Sequence, residues 1–339
     1  MSIALPLRLR PIAVPKVWGG TALRRLVSDA DREAIDWPES EPIGEVWLVS
    51  DRADRASVVD GGPFDGRTLH GLMLSETSAL VGKAETAEGG AFPLILKLLD
   101  ARSNLSIQVH PDEVAAARLG VQPKGECWYL LEADAGAEVY LGLADGVDAA
   151  RFAAGAASHD VVDLLHRYAV AAGDGVDVAP GVVHAIGAGI VLVEVQHNSD
   201  ATYRIYDWDR SARSSESRET QLDRALGSID YEARSNPPGP LEFTGVDSST
   251  SVNRAATLRR GARFHAEILE VHEPADMAAP GLPTVLVALS GNARLAAGDE
   301  SRDMKRGCTW LLPADLESAR IVDADGDLRI LRARPLERS

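Results

Sequence analysis

The 339-residue chain is poor in cysteine, lysine and aromatic residues. Cys127 and Cys308 are its two cysteines. They could form one bridge at most, which argues against a disulfide framework and against a thiolate metal site. No run of 18 or more apolar residues occurs, so a membrane-spanning helix is not expected. The opening stretch MSIALPLRLRPIAVPK is broken by proline and does not read as a signal peptide, so a cytoplasmic location is expected. Of the 35 lysines and arginines only five are lysine: Lys16, Lys83, Lys97, Lys124 and Lys305. Net charge is −16 without any basic run, which disfavours nucleic acid as a partner. A small anion can still be held by a few placed cations. What remains, 45% hydrophobic and 25% charged, is the composition of a globular chain able to bury a full core.

Residues 106–113 read SIQVHPDE. Ser106, Gln108 and His110 alternate with Ile107 and Val109. In a β-strand residues i, i+2 and i+4 share a face, so a hydroxyl, an amide and an imidazole stand together on one side. That trio reads as the wall of a polar pocket. Strand-like runs recur along the chain: 45–50, 94–101, 105–110, 127–133, 137–143, 189–196 and 202–208, then 264–273, 284–291, 308–314 and 328–335. Many short strands between Gly, Pro and Asp predict a mainly β sandwich or barrel. Helical insertions are expected at 68–82, 111–120 and 148–172, the last as two short helices. The polar stretch 209–240 predicts a connecting helix near 211–230 and a linker ending in Pro-Pro-Gly-Pro. Two β-rich units follow, 1–235 and 240–339.

Further along lie Glu126, at the start of a strand in PKGECWYLL, and His184, after a Pro-Gly turn in VAPGVVHAIGAG. Gln108, His110, Glu126 and His184 make a borderline nitrogen and oxygen donor set. Such a set suits zinc, with manganese, iron or cobalt as alternatives. Two imidazoles and one carboxylate leave coordination positions open, as catalytic sites require.

The Pro-Gly-x-x-His arrangement resembles the second half of the cupin signature. Gln108-x-His110, with Glu126 delayed by the 111–120 helix, stands for the first half, which more often reads His-x-His. The blocks VPKVWGG (14–20), PIGEVWLVS (42–50), FPLILKLLDARSNLSIQVHPDE (92–113), KGECWYLL (124–131) and VAPGVVHAIGAGIVLVEVQHNSDATYRIYDW (178–208) together resemble the type I phosphomannose isomerases in their compact bacterial form. The resemblance implies two cupin-type jelly rolls with helical insertions. It implies a zinc ligand set at Gln108, His110, Glu126 and His184, and polar residues at Ser106, Lys124, Glu194 and Arg204 around the open side. The 240–339 unit carries no matching ligands and is expected to be structural.

The implied activity is metal-dependent interconversion of mannose 6-phosphate and fructose 6-phosphate through a cis-enediolate. A divalent cation stabilises negative charge on the two sugar oxygens as a Lewis acid. Glu194 is the first candidate for proton transfer and Lys124 the second. Arg204 is a candidate for stabilising the enediolate, and Arg204 and Lys124 are the candidates for holding the phosphate. Two alternatives stand beside this: an isomerase of glucose 6-phosphate or free mannose on the same fold, and a cupin that binds metal and sugar without turnover. A monomer or weak homodimer is expected.

Overall fold

The computed structural model describes residues 3–35, 37–38, 41–210, 220–233, 235–246 and 252–337. Strands dominate, as the period-two patterning predicts. One sheet of seven strands runs in the spatial order Gly239–Pro240, Asp174–Val178, Glu126–Ala133, Ile190–His197, Leu94–Ala101, Ile43–Val49 and Ile12–Gly20. A five-stranded sheet, in the order Leu165–Ala169, Glu138–Leu143, His184–Ile186, Ile107–Val109 and Tyr203–Tyr206, faces it. Trp128, Leu130, Leu99 and Leu192 from the first sheet meet Val139, Leu141 and Ile186 from the second in one apolar cluster. The pair is a jelly roll of the cupin type, as expected, and its two sheets do not close into one barrel among the described residues.

The larger sheet is covered on its other side too. Leu96, Leu98, Cys127, Tyr129, Val193 and Val195 pack against Phe264, Ile268, Val285, Val287 and Leu331. Alternate side chains of each strand therefore enter two different cores. This is why LILKLLDA and IVLVEVQ read as nearly continuous apolar runs, and why a charged residue within them stands out.

The C-terminal sequence forms a second sandwich. Its eight-stranded sheet ends in Thr309–Leu312, Leu7–Arg10 and Val58–Val59, with Leu7 opposite Leu311. The first strand of the chain thus extends the sheet of the C-terminal unit. Leu286, Leu295, Trp310 and Ile330 fill the interior of this sandwich.

The helices match expectation in two of three places. Leu69–Val81 starts at Thr68, whose hydroxyl accepts from Gly71 N–H. Glu113–Leu119 starts at Asp112, whose carboxylate accepts from Ala115 N–H. The stretch 148–172 is different. It gives a helix at Ala149–Gly155, a 3-10 turn at His159–Leu164, and then an edge strand, Leu165–Ala169, paired with Glu138–Leu143. That strand buries one face only, and its surrounding alanines mask the period of two. Of the connecting helix expected near 211–230, Leu222–Leu226 is helical and 211–219 lie outside the described residues. Among the described residues no helix is long and apolar enough to cross a membrane.

Candidate active site

Strand register assembles the site. On the five-stranded sheet His184 stands directly opposite Gln108, and Gln108 directly opposite Arg204. Opposed residues in an antiparallel pair share a face, so these three side chains form one row. His110 lies two residues beyond Gln108 on the same side. The turn before His184 is fixed by Gly181, whose φ of 83° suits glycine and whose N–H donates to the His110 carbonyl at 2.7 Å. Glu126 comes from the facing sheet as the first residue of Glu126–Ala133. The donor atoms of His110, Glu126 and His184 all lie within 4.8 Å of one another, and each residue is 1% exposed.

Hydrogen bonding sets the tautomers. His110 Nδ1 lies 3.0 Å from the Ala201 carbonyl and His184 Nδ1 lies 2.9 Å from the Val182 carbonyl. A carbonyl only accepts, so both Nδ1 atoms carry hydrogen and both Nε2 atoms turn lone pairs inward. These face the two oxygens of Glu126: His110 Nε2 at 3.0 Å from Oε2, His184 Nε2 at 3.5 Å from Oε1. Acceptors crowded in this way, out of water, call for a cation among them. The Lys124 ammonium meets part of that demand, donating to Glu126 Oε2 at 2.8 Å and to His110 Nε2 at 3.1 Å. The Trp128 indole N–H donates to Glu126 Oε1 at 3.1 Å and holds the carboxylate in place. Carbonyl partners behind each imidazole and a donor behind the carboxylate are the supports that ligating groups need.

The electrostatics agree. Burial, reinforced by the Lys124 charge, pushes His110 down to about 3, and burial lowers His184 as well. Both are neutral, the ligating form. Burial alone would raise Glu126, but Lys124, His110 and His184 outweigh it and hold the carboxyl well below its ordinary value.

The remaining predicted residues fall around this cluster. Gln108 donates its amide N–H to His184 Nε2 at 3.2 Å and accepts from the Ser106 hydroxyl at 3.3 Å. Glu194 lies directly opposite both Trp128 and Lys97 on neighbouring strands of the larger sheet. It is buried, and burial together with the Glu126 charge pushes it up to about 7. Arg204, besides its place in the row with Gln108, lines a cleft of about 460 Å³.

Sequence reading passed over Lys97, which is counted there only among the scarce lysines. Its ammonium lies 3.5 Å from Glu194 Oε2 and donates to Gln196 Oε1 at 3.2 Å. It also sits 4.8 Å from the centre of the Trp47 ring, and Arg55 lies 4.9 Å from that ring as well. Burial would lower Lys97, yet Glu45, Glu194 and Glu126 raise it, so the charge is kept. The signal was available: a lysine in the middle of LILKLLDA, a run otherwise apolar up to Asp100.

A buried His-Glu-His cluster between the sheets of a cupin-type jelly roll defines a metal-binding cupin. Comparison with known proteins narrows this. Residues 7–136 match the phosphomannose isomerase type I catalytic domain. The mannose-6-phosphate isomerase of Streptococcus mutans is 32% identical over 99% of this chain and 100% of its own. Mannose-6-phosphate isomerase ManA of Bacillus subtilis is 31% identical over 92% of this chain and 94% of its own. A crystal structure of mannose 6-phosphate isomerase from Bacillus subtilis, 28% identical, superposes with a TM-score of 0.79 over 97% of this chain and 99% of the other. The chain belongs to the type I mannose-6-phosphate isomerase family, whose members are metal-dependent.

Proposed function

We propose that the protein interconverts mannose 6-phosphate and fructose 6-phosphate through a cis-enediolate, with zinc held by His110, Glu126, His184 and Gln108. The observation that carries this reading is the convergence of two imidazole lone pairs on one buried carboxylate. When bound, the divalent cation supplies Lewis-acid stabilisation of negative charge on the sugar's two oxygens.

The chain's own groups do the rest. Glu194 moves the proton between C1 and C2. A carboxyl pushed up to about 7 accepts and returns a proton readily at neutral pH. Lys97 fixes the Glu194 carboxylate from the neighbouring strand. Ser106 orients the Gln108 amide through its hydroxyl. Lys124 balances the Glu126 charge and presents hydrogens toward the sugar oxygens. Arg204, in line with Gln108, adds fixed positive charge for an anionic substrate. The apolar cluster around Leu130 and Leu192 keeps water from the reacting carbons. We infer that residues 1–235 carry this chemistry in the cytoplasm, in a monomer or weak homodimer, and that 240–339 serve as support.

The test is an assay on mannose 6-phosphate before and after chelation, with zinc, manganese, cobalt and iron added back in turn. Turnover should vanish with the metal and return with it. His184→Ala should lose both bound metal, read by elemental analysis, and turnover. Full activity without metal would overturn the proposal. Stoichiometric metal without deuterium exchange at C2 would make the protein a sugar-binding cupin instead. Turnover of free mannose or glucose 6-phosphate at least equal to that of mannose 6-phosphate would change the substrate.

A further inference from the structure

The block VPKVWGG has no role in the chemistry above, and its backbone is unusual. In the pairing of Ile12–Gly20 with Ile43–Val49, both Pro15 and Gly20 face Ile43. Residues 16–19 are therefore looped out of the ladder. Bulges of this kind re-aim side chains and are common beside active sites. The loop is pinned rather than loose: Lys16 N–H donates to the Pro42 carbonyl at 3.3 Å, and the Trp18 carbonyl accepts from Ser103 N–H at 3.2 Å. It lies tightly on Gly44, where a Cβ would come 2.6 Å from Lys16 Cβ and 2.8 Å from the Trp18 ring. Only glycine permits that approach.

The looped segment forms a wall of the 460 Å³ cleft that Arg204 also lines, together with Val17, Trp18, Glu41 and Pro42. Two of the charged groups there are cations, Lys16 and Arg204. Arg204 belongs to the row that runs through Gln108 to His184, so one residue of the cleft stands in register with the metal cluster. The Lys16 ammonium pairs with Glu45 Oε2 at 3.5 Å, and its side chain is 33% exposed. It is oriented by its partner yet open to a ligand. Glu41 is exposed, where water and salt screen its charge.

We propose that Lys16, carried by the looped-out segment, binds the phosphate group of the substrate together with Arg204. This rests on the isomerase reading for the sugar, while the phosphate contact is testable without turnover. A planar guanidinium and a flexible ammonium on one cleft wall suit a tetrahedral dianion, which each meets by charge-assisted hydrogen bonds. The sugar's reacting end then points along the row toward Gln108 and the cluster. Lys16 is a binding residue; it has no part in proton transfer.

The test compares wild type with Lys16→Gln, Lys16→Arg and Val17→Glu, all metal-loaded. Inorganic phosphate is titrated against each and followed by 31P line broadening, and the KM for mannose 6-phosphate is measured in parallel. Lys16→Gln should weaken phosphate binding and raise KM roughly tenfold or more, with kcat within about twofold. Lys16→Arg should restore most of both. Val17 is 53% exposed on the same segment, so Val17→Glu places a repelling charge at the cleft without touching the core, and it should raise KM in the same direction. Phosphate binding and KM unchanged in Lys16→Gln and Val17→Glu would overturn the proposal. So would a wild type that binds no phosphate, or a loss of kcat without a change in KM. Lys16-dependent phosphate binding in a wild type without turnover would sink the isomerase reading and leave the phosphate site standing.

Discussion

Gln108 and His184 are direct cross-strand partners, and the Gln108 amide nitrogen lies 3.2 Å from His184 Nε2. With Nδ1 of His184 donating to Val182, Nε2 can only accept, so the amide donates. The amide oxygen meanwhile accepts from Ser106. Gln108 thus enters the cluster through His184, and half a turn of its amide exchanges which atom faces inward.

Gln108→Leu keeps the volume of the side chain and removes this polar link. The imidazole keeps its Val182 bond but loses its neighbour on the row. Metal affinity should fall by about ten- to a hundredfold, as loss of a supporting polar group typically gives. Competition with a chromogenic chelator reads it directly, and the melting temperature of the metal-free protein should barely move. Unchanged affinity would mean that Gln108 neither ligates nor orients.

Much of this was legible in the sequence because the site sits on regular strands. Alternation at 106–110 placed Ser106, Gln108 and His110 on one face, and the Pro-Gly turn marked the approach to His184. Facing partners were not legible. That Glu126 meets His110 from the other sheet, or that Lys97 stands opposite Glu194, depends on register between strands far apart in sequence. The strand Leu165–Ala169 was missed because an edge strand buries one side only and its alanines favour helix locally. The short strand Val58–Val59 and the crossing of Leu7–Arg10 into the C-terminal sheet follow from tertiary packing that local pattern does not encode.

Glu194 makes the metal-free protein's stability depend on pH in a definite direction. Its carboxyl is pushed from 4.5 up to about 7, first by burial and then by Glu126. The folded state therefore holds this proton more tightly than the unfolded chain. The stabilisation is complete below 4.5 and disappears as pH rises through about 7. Thermal melts of metal-free wild type and Glu194→Gln across this range should differ in slope, the variant losing less stability on going up. In the loaded enzyme the same group should give an acid limb in kcat/KM, with the rate rising as the carboxylate forms. A bound cation favours the carboxylate and draws that limb below 7. Parallel melting curves for the two proteins would show that Glu194 does not titrate here.

Lys97 is where stability and catalysis are tied together. It neutralises part of the charge on the buried Glu194 and the partly buried Glu45, and lies against Trp47. Lys97→Met fits the apolar strand but leaves those carboxylates without their shared partner. Removing one member of a buried ion pair costs about 3–5 kcal/mol, because the remaining charge stays out of water. Lys97 also lowers Glu194, so its loss should shift the acid limb of kcat/KM to higher pH. The stability cost should be relieved by a second change. In Lys97→Met with Glu194→Gln one of the stranded charges is gone, so the double variant should be more stable than Lys97→Met alone. Contacting residues deviate from additivity in this way, and chemical denaturation of the four proteins measures the coupling. Additive costs would mean that the cross-strand pair carries no interaction of its own.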